Sequence, residues 1–306
     1  MQLRLFQRSI GLLAVLSCNP AGGSAGRYAE VTFGKTVMTD ITSGTFFSCG
    51  LKEDGSAVCW GINNAGQASP PPGAFSQISA GDNHACGLRS DGSAACWGAD
   101  YAHQASPPSG AFSYIVAGDA LTCGLRLDYS LICWGATFRF SPASVPEGPF
   151  RQITVGSVHA CGIHSDDGTV ECWGNSRGLG TLPPPEPFAA ISAGGFRTCG
   201  MRHDSSVVCW GDSQGDPSLP VGALRQVSVG EDHTCYLGAD GGVSCTGLGC
   251  KVGTSGTAEF SYPCTPAGVV FEKIAAGSSH TCGIASNGRI GCWAAGSCQN
   301  GACSPP

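Results

Sequence analysis

Charge is what this sequence has least of: only 12% of its 306 residues are Asp, Glu, Lys or Arg, and the net charge is −6. No run of Lys or Arg occurs, so the electrostatic footing that nucleic acid or an anionic membrane surface requires is absent. Neither is expected as a partner. No apolar stretch approaches the roughly 20 residues of a spanning helix, which excludes a helical membrane span. The CxxC pairs and Cys/His clusters of a zinc site are missing, as are a phosphate-binding loop, an EF-hand and an N-glycosylation triplet. No metal and no cofactor are therefore expected. What the chain does have is 47 glycines, 19 prolines and 19 cysteines, a composition of turns and short strands that points to an all-β fold.

Arg4 and Arg8 precede the short apolar core Ile10-Gly11-Leu12-Leu13-Ala14-Val15-Leu16, and small residues follow at Ala21, Gly23 and Ala25. Residues 1–25 thus read as a signal peptide, and Val15-Leu16-Ser17-Cys18 also fits a bacterial lipoprotein box. A secreted protein follows, surface-attached if Cys18 is lipidated. With Cys18 removed or acylated, eighteen cysteines remain, an even number suited to an oxidising compartment.

A Cys-Gly dipeptide recurs at Cys49, Cys86, Cys123, Cys161 and Cys199, becomes Cys235-Tyr236, and returns at Cys282, with spacings of 37, 37, 38, 38, 36 and 47 residues. Seven copies of a unit of about 37 residues result, and the sixth carries an insertion over 246–266. A unit this short holds three or four strands and cannot bury both faces alone, so the copies must pack on one another. The expectation is a seven-bladed β-propeller over residues 26–297, followed by a tail, 298–306. Val37 to Gly44 reads as an ordinary first strand, and Tyr28 to Phe33 is positioned to complete the last blade.

Within a unit, Cys86 and Cys96 flank Ser90-Asp91-Gly92, and a three-residue hairpin loop with glycine in the left-handed position places them opposite each other. They then form a non-hydrogen-bonded cross-strand pair, close enough for a disulfide. In the fourth unit the turn has one more residue, Ser165-Asp166-Asp167-Gly168, and its second cysteine shifts with it to Cys172. One hairpin disulfide per blade follows: Cys49/Cys59, Cys86/Cys96, Cys123/Cys133, Cys161/Cys172, Cys199/Cys209, Cys235/Cys245 and Cys282/Cys292. Cys250 with Cys264 and Cys298 with Cys303 are placed to close two further short loops. Six units have Trp after the second cysteine and Gly after the first, whereas the sixth has Thr246 and Tyr236. The tryptophans read as core, each ring covering the glycine diagonal to it.

Ala80-Gly81-Asp82-Asn83-His84-Ala85-Cys86-Gly87-Leu88 with Cys96-Trp97-Gly98 resembles the repeat of the regulator of chromosome condensation superfamily. Trp60-Gly61-Ile62-Asn63-Asn64-Ala65-Gly66-Gln67 is similar to its WG-x-N-x-x-GQ signature. The short unit and paired cysteines look like its extracellular branch, the Crinkly-type receptor ectodomains and the secreted bacterial repeat proteins related in fold to β-lactamase inhibitor protein II. That resemblance implies a propeller that binds protein surfaces without catalysis. Nucleotide exchange, the founder's activity, is not carried over, because this chain is acidic and lacks a basic tail.

Catalytic motifs are thin. Gly174-Asn175-Ser176-Arg177-Gly178 matches a nucleophile elbow but sits in a repeat loop without the strand-to-helix turn the motif needs. His84, His159, His233 and His280 share one slot, which a ring would bring around its axis. Asp82, Asp119, Glu231 and Asp232 supply carboxylates near that slot, so a glycoside hydrolase is the enzymatic alternative. Recognition is expected where the units differ, in the pair after Ala-Gly and the stretch after Trp-Gly. Candidate contacts there are Tyr101, Phe138, Arg139, Phe140, Arg177, Phe196, Asp82 and Asn83. The expected partner is an extracellular or cell-surface protein, with carbohydrate as the alternative.

Overall fold

A computed structural model describes residues 32–136, 145–174, 182–211, 222–247, 269–294 and 301–306. Their strands form seven antiparallel sheets. Blade 1 spans residues 40–61, and blades 2 to 7 begin at Gln77, Phe112, Phe150, Ala190, Leu224 and Phe271. The first strand of each blade lines a central channel of about 250 Å³; the second and third follow outward.

The hairpin arithmetic holds in all seven blades. Cys49 lies directly opposite Cys59, Cys86 opposite Cys96, Cys123 opposite Cys133 and Cys161 opposite Cys172. Cys199 faces Cys209, Cys235 faces Cys245 and Cys282 faces Cys292 in the same register. All seven pairs are disulfide-bonded, with Cα atoms 4.0–4.1 Å apart. The two ends of each bond differ in burial. The second-strand cysteines are fully buried, whereas Cys59, Cys96, Cys133, Cys172 and Cys209 on the third strand are only half-buried. Cys245 and Cys292 are buried, the latter because blade 7 has a further strand beyond its third.

Gly55, Gly92, Gly168, Gly241 and Gly288 take the left-handed position of the turn at φ between 74° and 82°. In blades 3 and 5 that position falls to Tyr129 and Ser205, at φ 66° and 68°. In blades 1, 2, 3 and 5 the turn is held by an aspartate whose Oδ1 accepts the amide and hydroxyl of the serine two residues on, as Asp91 does from Ser93 at 2.8 and 2.6 Å. The serine hydroxyl is the main cause that lowers the Asp91 pKa.

The glycine after the first cysteine has a different cover from the one expected. A Cβ on Gly87 would lie 2.4 Å from the ring of Phe75, and Gly124, Gly162, Gly200 and Gly283 meet Phe112, Phe150, Phe188 and Phe271 in the same way. The tryptophan packs on that phenylalanine, with Phe75 and Trp97 centroids 5.8 Å apart. Blade 6 changes the whole set, since Leu224 stands in the phenylalanine slot and Tyr236, fully buried, fills the volume. The phenylalanine recurs twelve residues before the glycine, a period visible in the sequence but passed over there. These rings pack against the preceding blade, Phe75 and Trp97 on Cys49 and Leu51. The core therefore lies between blades, which is why no repeat can fold alone.

Ring closure uses both ends of the described chain. Strand Thr32–Val37 pairs with Arg289–Ala294 as the fourth strand of blade 7, somewhat later in sequence than expected. Residues 301–306, read from sequence as a tail, repeat the loop Gly66-Gln67-Ala68-Ser69-Pro70-Pro71 as Gly301-Ala302-Cys303-Ser304-Pro305-Pro306. Ser69 N donates to Gly66 O and Ser304 N to Gly301 O, both at 3.0 Å. The Trp97 indole donates to Gln67 O, and the Trp60 indole to Ala302 O, each at 2.9 Å. This segment is thus blade 7's connection onto blade 1. Cys303 is buried and disulfide-bonded. Cys18, Cys250, Cys264 and Cys298 lie outside the described residues, as do residues 1–25 and most of the insertion 246–266.

Candidate functional site

The turn between first and second strands and the end of the third strand meet on one face of the ring, called here the upper face. Ile62 N, Ala99 N and Ala136 N donate to the carbonyls of Phe46, Asn83 and Ala120, tying each post-Trp-Gly loop to the turn of its own blade. The hairpin turns with their aspartates lie on the opposite face. Both variable slots singled out from sequence therefore share one surface around the channel mouth.

Asp82, Asp119, Ser157, Gly195, Glu231 and Ser278 line that mouth. Burial, then the neighbouring charge of Asp119, raises the Asp82 pKa to about 6. Burial and Glu231 also raise that of Asp232. The Ser278 hydroxyl donates to Glu231. Asp82 and Asp119 touch through a hydrogen bond, closer than the roughly 5 Å or more that separates a glycosidase pair.

Asn83 is exposed beside Asp82, and Tyr101 rises from the loop of the same blade with 72% of its surface free. That loop is rigidly built. Asp100 Oδ1 accepts from Ala105 N at 2.8 Å, Gln104 Oε1 from Ala102 N at 2.8 Å, and the Gln104 carbonyl receives both Thr122 Oγ1 and the Trp134 indole of blade 3. In blade 1, Asn63 and Gln67 do the same work. The signature Asn and Gln are thus loop-folding residues. Phe196 is 46% exposed on blade 5, away from Asn83 and Tyr101. Phe138, Arg139, Phe140 and Arg177 lie outside the described residues.

The recurring histidines leave the channel. Each ring is lodged between blades with Nε2 on a hydroxyl of the next one, His84 on Thr122 at 2.8 Å and His159 on Thr198 at 2.7 Å. The axial placement read from sequence is corrected accordingly: the position lies on the second strand, one layer out from the channel.

Residues 38–67 and 75–104 match the family of the regulator of chromosome condensation (RCC1) repeat. Two of the seven repeats thus match the RCC1 repeat. Its fold is similar to the Crinkly WD40 ectodomain of the Arabidopsis thaliana receptor kinase ACR4, with 28% identity, a TM-score of 0.69, and coverage of 85% of this chain and 98% of that one. The entire ectodomain of the Physcomitrella patens receptor kinase CR4 shares 24% identity over 84% of this chain and 73% of that one, with a TM-score of 0.72. Yeast RCC1 (Prp20), solved with Kap60, shares the fold at 14% identity and a TM-score of 0.66, over 84% of this chain and 80% of that one. No curated protein sequence matches. Among the described residues of this propeller, no helix is long and apolar enough to cross a membrane.

Proposed function

We propose that this RCC1-type propeller is a secreted, non-catalytic protein-binding module that recognises its partner with the upper face. The observation that carries this reading is the convergence of both variable slots on one rim above a scaffold that otherwise repeats. Tyr101 and Phe196 supply exposed aromatic area, and Asp82, Asn83 and Glu231 supply polar contacts. The likeness to a receptor ectodomain at 28% identity and the seven disulfides support an extracellular setting. Phe138, Arg139, Phe140 and Arg177 belong by sequence to the same variable stretches and stay candidate contacts.

The test is capture of surface and secreted proteins by the purified chain, repeated with Tyr101→Ala/Phe196→Ala and with a lower-face control, Leu127→Ala. A partner held by the wild type and the control but weakened about tenfold or more in the double variant supports the reading. Equal capture by all three overturns it. Binding to a glycan array that is lost with Tyr101→Ala would instead make the chain a lectin.

A further inference from the structure

The seams between blades differ in kind. At seams 2/3, 4/5, 6/7 and 7/1, an imidazole Nε2 meets a hydroxyl of the following blade: His84 and Thr122 at 2.8 Å, and His159 and Thr198, His233 and Thr281, His280 and Ser48 at 2.7 Å. At seams 1/2 and 3/4 both partners change together, to Phe47 with Ala85 and Leu121 with Ala160, inside continuous apolar clusters. Seam 5/6 has Arg197 and Thr234 in these positions. Apolar contacts thus join blades 1–2 and 3–4, while blade 7 is latched on both sides.

We propose that the ring contains acid-sensitive and acid-resistant seams, so that acidification opens it at the four histidine latches while the apolar seams and the stapled hairpins hold.

The hydrogen-bond chain explains why. Thr122 donates its hydroxyl proton to Gln104 O at 2.8 Å, so it accepts from His84, which places the imidazole proton on Nε2 and leaves Nδ1 bare. Nδ1 of His84, His159 and His280 finds no partner among the described residues, and these three rings are at most 2% exposed. At His84 a second proton would create a buried cation with an unpaired N–H, a state relieved only by water entering the seam. The groups that face these rings do little to prevent this. The carboxylate of Asp100 acts on His84; His280 faces His233 and the backbone of Thr45, and His233 faces the backbone of Ser278. Burial accordingly lowers all four to about 4.

Hydrogen exchange of the oxidised full chain at pH 7 and pH 4, corrected for intrinsic rates, tests this. The inner strands of blades 3, 5 and 7 donate amides across latched seams, from Ala117 to Ser79, Ala193 to Thr154 and Ala276 to Ser228. Their protection is expected to fall about tenfold or more at pH 4, while the inner strands of blades 2 and 4, which face apolar seams, keep theirs. The variant His84→Leu/Thr122→Ala installs the residue types of seam 3/4 at seam 2/3. It is expected to preserve blade 3 protection at pH 4 while blade 5 still loses its own. Equal loss in all inner strands of the wild type overturns the proposal, and so does loss in blade 3 of the variant that matches the wild type. The wild-type comparison decides by itself if the variant does not fold.

Discussion

Tyr129 shows how far single residues can depart from the repeat without breaking it. Five hairpin turns place glycine in the left-handed position, whereas Tyr129 holds it with φ 66° and half its surface exposed. A side chain there costs on the order of 1 kcal/mol relative to glycine. Tyr129→Gly is therefore expected to raise the unfolding free energy measured in urea by about 1 kcal/mol, with Ser205→Gly acting in the same direction. An unchanged or lower value would mean that the tyrosine makes contacts that outweigh its backbone strain. The turn itself was legible in Ser90-Asp91-Gly92, because the left-handed requirement is local and glycine meets it without a Cβ. The exposure of Tyr101 was not, since nothing in Asp100-Tyr101-Ala102 says whether the ring turns outward.

At the level of the blade, the controlling contact is phenylalanine on glycine. Both lie on the side of the sheet that meets the preceding blade, and a Cβ at Gly87 would sit 2.4 Å from the Phe75 ring. Gly87→Ala should destabilise by roughly 1–3 kcal/mol through overpacking. Phe75→Leu, the pairing blade 6 hints at with Leu224, should offset part of that loss. A double-mutant cycle by chemical denaturation measures this, and strict additivity would contradict the contact. The Cys-Gly and Cys-Trp-Gly phrases exposed the hairpin because its two strands are neighbours in sequence. The phenylalanine arrives across a further strand and turn, so its partner emerges only when the whole sheet is assembled.

For the whole ring, the buried histidines set the response to pH. Their native pKa values lie near 4, below the ordinary 6.5, so between pH 6.5 and 4 the unfolded chain binds protons that the native chain does not. Their contribution to stability is complete above 6.5 and shrinks as the pH falls through that window. Asp82 acts oppositely between about 6 and 3.8, since its native carboxyl is the more easily protonated form. Asp232 is raised in the same direction, but four histidines outweigh two aspartates, so unfolding takes up protons near pH 5. Denaturant midpoints should therefore fall steadily from pH 7 to 4.5. A flat profile would show that the rings are hydrated in the folded protein.

Local chemistry decided much of this molecule in advance. The hairpin register and the seven disulfides follow from residues within a dozen positions of one another, where chain connectivity leaves few arrangements, and the number of repeats from the recurrence of that unit. Only the assembled ring decided what lies between repeats: that His84 meets Thr122 and not the channel, that Ala302 takes the place of Gln67 for Trp60, and that Asp82 and Asp119 meet at one mouth. Those contacts join neighbouring blades, or the last blade to the first. Their partners are set by the closure of the circle, a constraint that acts on the whole chain at once.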